Sequence, residues 1–225
     1  MVPNFNMKKT ISNKKYSSAV WPFSSFAKQY VKWCIWAKEK PSEVPNKAYL
    51  NYSIILGSAI YLESTISEGL QKVAYHYATY KEADDLFIRL AEQTEKDAIN
   101  SGGVEQYKEL LELIFGRTID EIVGKKTWAG VQNLFQLRNM FAHGRSVRFS
   151  VAATDRNEIE FKGSYSQVEK YLKQEGVFKR LNVHPGPHDY LADPVAEWAW
   201  NLANRVVTTM SVRMPESERK LFFFP

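Results

Sequence analysis

Residues 127–144 read TWAGVQNLFQLRNMFAHG, and this stretch indicates a helix with a recognisable start and end. Thr127 is a good N-cap because its hydroxyl oxygen can accept a hydrogen bond from a backbone N–H of the first turn. Gly144 suits the left-handed position that follows a helix, so the predicted helix runs from Trp128 to His143. Apolar residues recur on one side of it, at the spacing of a helix that packs against a core: Val131, Leu134, Phe135, Phe141 and Ala142.

Polar side chains interrupt this helix near its end. Arg138 falls in the middle of the apolar stripe at ~100° per residue, where a guanidinium is costly unless its charge is paired or used. Asn139 and His143 are one turn apart and therefore lie side by side. His143 is in the last turn, where the helix dipole favours a cation, and an imidazole can act as base or acid near neutral pH. The alternative is a core helix with a snorkelling arginine and a histidine that caps its own C-terminus.

A second charged residue, Glu63, lies on the apolar face of the longest predicted helix, residues 47–80. Apolar residues recur there at helical spacing without a proline, as one helix or as two joined near Gly69. Glu63 falls within that apolar stripe, which is an unusual position for a carboxylate. Opposite charges on two inward faces predict either an ion pair between Glu63 and Arg138 or a contact between Glu63 and His143. The alternative is that Glu63 lies at the edge of the stripe and reaches water.

The remaining pattern predicts a mainly helical chain with a small β-hairpin insertion at about 147–162. Residues 1–22 show little periodicity and are expected to form a basic, partly ordered arm, whereas residues 23–225 form a single helical domain. Thr118 and Glu121 have the spacing of a capping box that starts a short helix. Further helices are predicted over 24–38, 81–100, 104–115, 166–174 and 193–212, and a stiff loop over 182–189.

The net charge of +5 is concentrated in the first 40 residues. This segment carries eight lysines against one acid, Glu39, so its charge is +7 and that of residues 41–225 is −2. Lysines on phosphates release counterions, and Lys8, Lys9, Lys14 and Lys15 are therefore predicted to contact RNA. The alternative is a solvated lysine-rich tail.

Aromatic side chains recur along the predicted helix over 24–38, on a stripe formed by Phe26, Tyr30, Trp33 and Trp36 or Ala37. At that spacing, aromatic residues are more often part of a core than of a binding surface. Because Tyr16 and Trp21 lie beside the basic arm, the alternative is that these residues, with Tyr30, Trp33 and Trp36, stack on RNA bases.

Several classes of protein are not expected. Cys34 is the only cysteine in the sequence, which excludes an internal disulfide and a cysteine-based zinc site. No apolar run reaches ~18 residues and no signal-peptide pattern is present, so we expect a cytoplasmic protein without a membrane span. His184 and His188 flank Pro-Gly-Pro, which forbids the helix that would bring both onto one metal, so we expect no metal or other cofactor. The sequence lacks the phosphate-binding loop, dinucleotide-binding and nucleophile-elbow motifs.

The run from Leu137 to Gly144, with its Arg-Asn start, R-x4-H spacing and following glycine, resembles the signature of the HEPN superfamily (higher eukaryotes and prokaryotes nucleotide-binding). Glu63 is similar to the acidic residue that many members carry on an early helix. The resemblance covers the signature helix and, more loosely, the helix that holds Glu63. It implies a HEPN-like helical bundle with a four-helix core. Many members are metal-independent endoribonucleases of toxin–antitoxin and phage-defence systems.

The resemblance also implies a mechanism. Catalytic HEPN proteins place two copies of the signature face to face across a homodimer, and the two copies form one composite site. His143 would then act as base or acid, Arg138 would orient His143 or hold the scissile phosphate, and Asn139 would donate to the phosphate or position the histidine. The expected products carry a 2′,3′-cyclic phosphate and a 5′-hydroxyl. Arg145 and Arg148 follow the helix end and are expected to recruit RNA phosphates.

The sequence therefore predicts a toxin or phage-defence effector that cleaves RNA such as tRNA or mRNA, with an antitoxin or regulatory protein as a possible partner. A first alternative is a non-catalytic HEPN module that binds nucleotides or RNA, dimerises, and works with a partner such as a nucleotidyltransferase antitoxin. A second alternative is a structural helical protein in which Glu63 and Arg138 form a buried pair that specifies the fold.

Overall fold

Helices form most of the described chain, which confirms the prediction of a mainly helical fold. The structure is a computed structural model that describes residues 23–40, 47–80, 104–142, 149–153, 159–163, 166–180, 187–214 and 216–223. The predicted arm over 1–22 and the predicted helix over 81–100 lie outside these residues. The segment that joins the two predicted strands and most of the stiff loop over 182–189 also lie outside them.

The helices of the described chain are α1 (Phe23–Glu39), α2 (Lys47–Tyr80), α3 (Val104–Phe115), α4 (Ile119–Val123), α5 (Lys125–Ala142), α6 (Ser166–Gln174), α7 (Asp193–Arg213) and α8 (Glu216–Phe223). Of the two arrangements predicted for residues 47–80, the single helix is the observed one. The strands β1 (Phe149–Ala153) and β2 (Ile159–Gly163) pair antiparallel, with Phe149 opposite Gly163 and Ala153 opposite Ile159. Turns of 3₁₀ helix lie at Val177–Arg180 and Pro187–Leu191.

The long helix α2 is the centre of the fold. It packs against α1, α3, α5, α7 and α8, so apolar residues are buried on several sides of it rather than on one stripe. Its fully buried side chains join those of its neighbours in one core cluster, which includes Ile55, Leu62, Leu70, Leu111, Ile119, Leu134, Leu137, Leu172, Val206 and Met210. No helix in the described ranges is both long and apolar enough to span a membrane.

The prediction that the aromatic stripe of α1 is part of the core is wrong. The residues that α1 buries are the small or branched ones: Ala27, Val31, Cys34 and Ala37. The predicted aromatic stripe points outward, with Phe26, Tyr30, Trp33 and Trp36 between 42% and 66% exposed. The physical reason is the close approach of α1 to α2: a β-carbon added at Gly57 of α2 would lie 2.5 Å from Val31 Cγ2 and 3.5 Å from Tyr30 Cδ1. Val31 therefore fills this contact, and the Tyr30 ring lies at its edge.

The start of α1 is held by α2. The backbone N–H and the hydroxyl of Ser24 both donate to the Glu68 carboxylate, at 2.7 Å each. The helix predicted over 24–38 begins one residue earlier, at Phe23. The first N–H groups of a helix have no partner within the helix, and Glu68 of α2 accepts a hydrogen bond from one of them. The helix dipole also favours a carboxylate at this end of α1.

The signature helix α5 begins at Lys125, two residues before the predicted cap. Thr127 therefore lies within the helix, and its prediction as N-cap is wrong. Gly124 has φ +90°, a conformation that side chains disfavour, and it turns the chain directly from α4 into α5. The Trp128 N–H donates to the Gly124 carbonyl oxygen at 2.9 Å, so the first helical turn already forms over residues 124–128.

The sequence does not predict α8, the last described helix. Its anchor is Phe222, which is 2% exposed and packs where Gly69 of α2 has no side chain. A pair made by an aromatic ring and a distant glycine has no periodicity of its own, because it depends on two segments meeting in the folded chain.

The start of α7 is tied to α1 and α2 through Asp193. The Lys38 ammonium lies 2.9 Å from an Asp193 oxygen, and Asn51 Nδ2 donates to the same oxygen at 2.8 Å. The Asn51 amide also donates to the Leu191 carbonyl oxygen at 2.8 Å. Burial favours the neutral form of Asp193, but the contacts with Asn51 and Lys38 outweigh it and hold the Asp193 pKa below its usual value.

Candidate functional site

The predicted pairing of Glu63 with Arg138 is confirmed. Arg138 Nη2 donates to Glu63 Oε2 at 3.0 Å and so joins α5 to the central helix α2. The Arg138 side chain is 29% exposed and that of Glu63 is 20% exposed. The pair is therefore partly buried, at the rim of the core.

Asn139 extends this pair into a short network. Arg138 Nη1 donates to Asn139 Oδ1 at 2.8 Å, so one guanidinium contacts both the carboxylate and the amide. Because the Asn139 oxygen accepts from Arg138, the amide nitrogen is the atom that can donate to a further group. Asn139 is exposed, and its N–H groups are thus oriented by Arg138 at the surface of α5.

Burial disfavours the charge on Glu63. It raises the pKa of the Glu63 carboxyl above its usual value, and the nearby Arg138 guanidinium opposes this shift only in part. In the folded chain, desolvation of the carboxylate therefore outweighs its attraction to Arg138. An ion pair of this kind contributes little to stability compared with an apolar pair of similar volume.

Tyr107 of α3 is a third polar group near this pair, and it was not predicted from the sequence. Its side chain is 5% exposed, and burial together with the charge of Glu63 raises the Tyr107 pKa to about 12. A hydrogen bond with the Ser67 side chain acts against this rise. The Tyr107 hydroxyl thus stays protonated at neutral pH, where it can act only as a neutral group. A tyrosine at a core position of an amphipathic helix gives no signal that would set it apart.

The structure does not describe the other predicted site residues. His143, Arg145 and Arg148 follow the last described residue of α5, Ala142, and lie outside the described residues. The same holds for the predicted RNA contacts of the arm: Lys8, Lys9, Lys14 and Lys15. The side chains of His184 and His188, the two candidate metal ligands, also lie outside the described residues. In the ranges that the structure describes, no three His, Cys, Asp or Glu side chains form a group that could hold a metal ion.

The aromatic stripe of α1 forms an outward surface that also carries positive charge. Phe23 and Phe26 lie with ring centroids 6.0 Å apart, and the Lys40 ammonium is 4.9 Å from the Trp36 ring centroid. Since Trp33 and Trp36 are exposed, they are not the core residues that their spacing favours. The sequence-based alternative, that they stack on bases, stays a prediction.

A cleft of about 550 Å³ opens between α5 and α6 beside Asn139. Gly130 of α5 lets Tyr171 of α6 come close, since a β-carbon at Gly130 would lie 2.7 Å from the Tyr171 hydroxyl oxygen. Burial, together with the charge of Glu175, raises the Tyr171 pKa to about 12, so this hydroxyl remains neutral. The Lys126–Glu175 ion pair, at 3.1 Å, joins the start of α5 to the residue that follows α6. No pattern in the sequence distinguishes these residues.

The structure thus brings together Glu63, Arg138 and Asn139, at the end of the helix that leads to His143. The resemblance to HEPN proteins depends on the signature run and on Glu63, as read from the sequence. Comparison of the chain with protein-family models, with curated proteins and with solved structures found no match.

Proposed function

We propose that this protein is a metal-independent endoribonuclease of HEPN type. The observation that carries the proposal is the network in which Arg138 contacts both Glu63 and Asn139, one turn before His143 in the sequence. A guanidinium and an amide held at a helix end are suited to a phosphate, because both donate hydrogen bonds and the guanidinium carries a positive charge. His143 would add the group that moves protons.

The reaction needs three actions at one phosphodiester. A base removes the proton of the 2′-hydroxyl, and the 2′-oxygen then forms a bond to phosphorus. Arg138 and the Asn139 amide stabilise the added negative charge on the phosphate oxygens. The bond from phosphorus to the 5′-oxygen breaks, and an acid gives that oxygen a proton. The products are a 2′,3′-cyclic phosphate and a 5′-hydroxyl.

One histidine cannot be base and acid in the same step, so a single copy of the signature is incomplete. In the proposed homodimer, two copies of α5 face each other in a HEPN-like bundle, and the two His143 side chains share the proton transfers. A twofold axis through this helix would create such a site with one set of residues from each protomer. The role would be that of a toxin or phage-defence effector in the cytoplasm, with an antitoxin or regulatory protein as a partner.

The energetics of the ion pair support a functional role. At neutral pH the Glu63 carboxylate is less favourable in the folded chain than in the unfolded one, because burial raises its pKa in spite of Arg138. A carboxyl group whose pKa is shifted by burial and by a specific charged partner is a feature of many functional sites. Glu63 would then hold the guanidinium in place for the phosphate.

A second candidate is a non-catalytic HEPN module that binds nucleotides or RNA together with a partner such as a nucleotidyltransferase antitoxin. The observation that favours it is that Arg138 is already engaged by a carboxylate at 3.0 Å. A guanidinium that is paired with a carboxylate stabilises the extra negative charge of a transition state less than a free one does, which impairs catalysis more than it impairs binding of a nucleotide. In the endoribonuclease, the phosphate must therefore share Arg138 with Glu63.

The deciding experiment is RNA cleavage in the presence of EDTA. Purified wild-type protein, His143→Ala and the matched control His184→Ala are incubated with total tRNA and with mRNA. We expect cleavage by the wild type and the control, with 2′,3′-cyclic phosphate ends, and a loss of at least about a hundredfold with His143→Ala. Equal activity of the two histidine variants would refute the role of His143. Binding of RNA without cleavage by the wild type would favour the non-catalytic module.

A further inference from the structure

The cleft between α5 and α6 has an unusual lining. Of the nine residues that line it, six are asparagine or glutamine: Gln132, Asn133, Gln136, Asn139, Gln167 and Gln174. Phe135 and Tyr171 add two rings, and Lys170 is the one charged residue among the described residues of the lining. A surface that is rich in carboxamides but lacks carboxylates offers many hydrogen-bond donors and acceptors with little net charge.

The arrangement of these residues follows from helix geometry. Gln132, Gln136 and Asn139 are spaced by four and three residues and therefore form one row along α5. Gln167, Lys170, Tyr171 and Gln174 form the corresponding row on α6. From Gln132 to Asn139 the row is ~10 Å long at about 1.5 Å per residue. Its end at Asn139 adjoins Arg138, so the cleft leads directly to the proposed phosphate site.

The chemistry of the lining selects a class of ligand. A carboxamide donates and accepts in one plane, and it is the side chain that pairs best with the edge of adenine. Guanine is read mainly by arginine or lysine, and cytosine by carboxylates. An aromatic ring provides a surface on which any base can stack, and a lysine attracts the backbone phosphate.

We infer that this cleft binds a base of single-stranded RNA next to the cleaved phosphate, with adenine as the preferred base. The inference rests on the proposed function, since it names the part of the substrate that the same site would recognise. Gln136 would contact the base edge, Tyr171 would stack on the base, and Lys170 would contact the adjoining phosphate. The cleft would thereby place one preferred nucleotide beside the network of Arg138 and Asn139.

The test measures binding separately from cleavage. The full chain carrying His143→Ala is titrated with fluorescein-labelled rA6 and rC6 in EDTA at fixed salt, and binding is followed by fluorescence anisotropy. Gln136→Ala should weaken binding of rA6 about tenfold, as expected for the loss of a good contact to a base edge. Asn201→Ala is the matched control, because Asn201 is an exposed carboxamide on α7 that belongs neither to the cleft nor to the aromatic stripe of α1. It should leave the affinity for rA6 unchanged.

A second variant tests recognition rather than folding. Gln136→Glu replaces the amide by an acceptor-only group and should shift the preference from rA6 towards rC6. Equal affinities of the Gln136→Ala and Asn201→Ala proteins for rA6, or no binding of either RNA, would overturn the inference about the cleft. If the protein with His143 intact does not cleave RNA but Gln136→Ala still loses affinity for rA6, the proposal of a nuclease is refuted and that of base recognition by the cleft is supported. If the protein with His143 intact cleaves RNA but neither Gln136 variant changes binding, base recognition by the cleft is refuted and the nuclease is supported.

Discussion

Replacing Arg138 by methionine should destabilise the protein at neutral pH and much less in acid. Methionine keeps much of the length and apolar character of the side chain, so the main loss is the charge that faces Glu63. At the observed 3.0 Å, two unit charges attract each other by about 5.5 kcal/mol at an effective dielectric constant of about 20. That figure is a gross attraction, because desolvation of both groups opposes it.

The net effect follows from the exposure of the pair. Exposed ion pairs contribute about 0.2–1 kcal/mol, whereas removing one partner of a fully buried pair costs about 3–5 kcal/mol. With side chains that are 29% and 20% exposed, Arg138 and Glu63 lie between these cases. We therefore expect Arg138→Met to lower the free energy of unfolding by about 2 kcal/mol at pH 7.

The pH dependence has a definite sign. Burial raises the pKa of folded Glu63 above its usual value of 4.5, and removal of Arg138 raises it further. A raised carboxyl pKa means that stability is fully present below the unfolded value and is lost as the pH rises through the folded value. The defect of Arg138→Met should therefore be largest at neutral pH and should fade as the pH approaches 4.5.

Urea denaturation followed by circular dichroism at several pH values tests this reasoning. The double variant Glu63→Gln/Arg138→Met removes both charges and should recover most of the loss. The matched control is the pair Glu216–Lys220, whose atoms are 2.7 Å apart but whose side chains are each 68% exposed. Breaking this exposed pair should lower the free energy of unfolding by no more than about 0.5 kcal/mol. A defect of Arg138→Met that is equal at pH 7 and near pH 4.5, or that persists in the double variant, would refute the argument.

Three further predictions concern the fold. Gly69→Ala should lower stability by about 1–2 kcal/mol in thermal unfolding, although alanine favours a helix, because the new methyl group overlaps the Phe222 ring; no loss would show that α8 does not pack there. Leu134→Ala should cost about 3 kcal/mol in urea denaturation, since Leu134 is fully buried, and a cost below about 1 kcal/mol would contradict its place in the core. Asp193→Asn should reduce stability above pH 3.8, and the difference from wild type should vanish as the pH falls through the lowered pKa of Asp193; a difference that is constant with pH would contradict the contact with Lys38.

The helices could be predicted from sequence where periodicity and boundaries agree. The helical character of residues 47–80 could be predicted because the segment lacks a proline, although the pattern left open whether it forms one helix or two. The predicted bounds of α3 and α7 agree closely with those observed. The face of α1 could not be predicted, because both of its sides are apolar and the distance to α2 decides which side is buried. A sequence pattern reports hydrophobicity, whereas the choice between small residues and rings depends on how closely two helices approach.

The candidate site, like the helices, could be predicted from the sequence only in part. The pairing of Glu63 with Arg138 could be predicted, because each charge falls on an apolar stripe and each is costly alone. Tyr107 could not be predicted, since a tyrosine in a core position is unremarkable until its neighbours are known. The carboxamide cleft was missed for a different reason: amides carry no charge, and the two rows that form it meet only once α5 and α6 are packed together.

The tryptophans of this chain provide a means of observing its parts separately. Trp33 and Trp36 are 58% and 54% exposed on α1, whereas Trp128 is 4% exposed at the start of the signature helix. Added iodide should therefore quench the fluorescence of the α1 pair and leave Trp128 emission almost unchanged while the protein is folded. With the other tryptophans replaced by phenylalanine, emission from Trp128 would report the opening of the core around α5. Emission from Trp33 and Trp36 would report whatever covers the outer surface of α1.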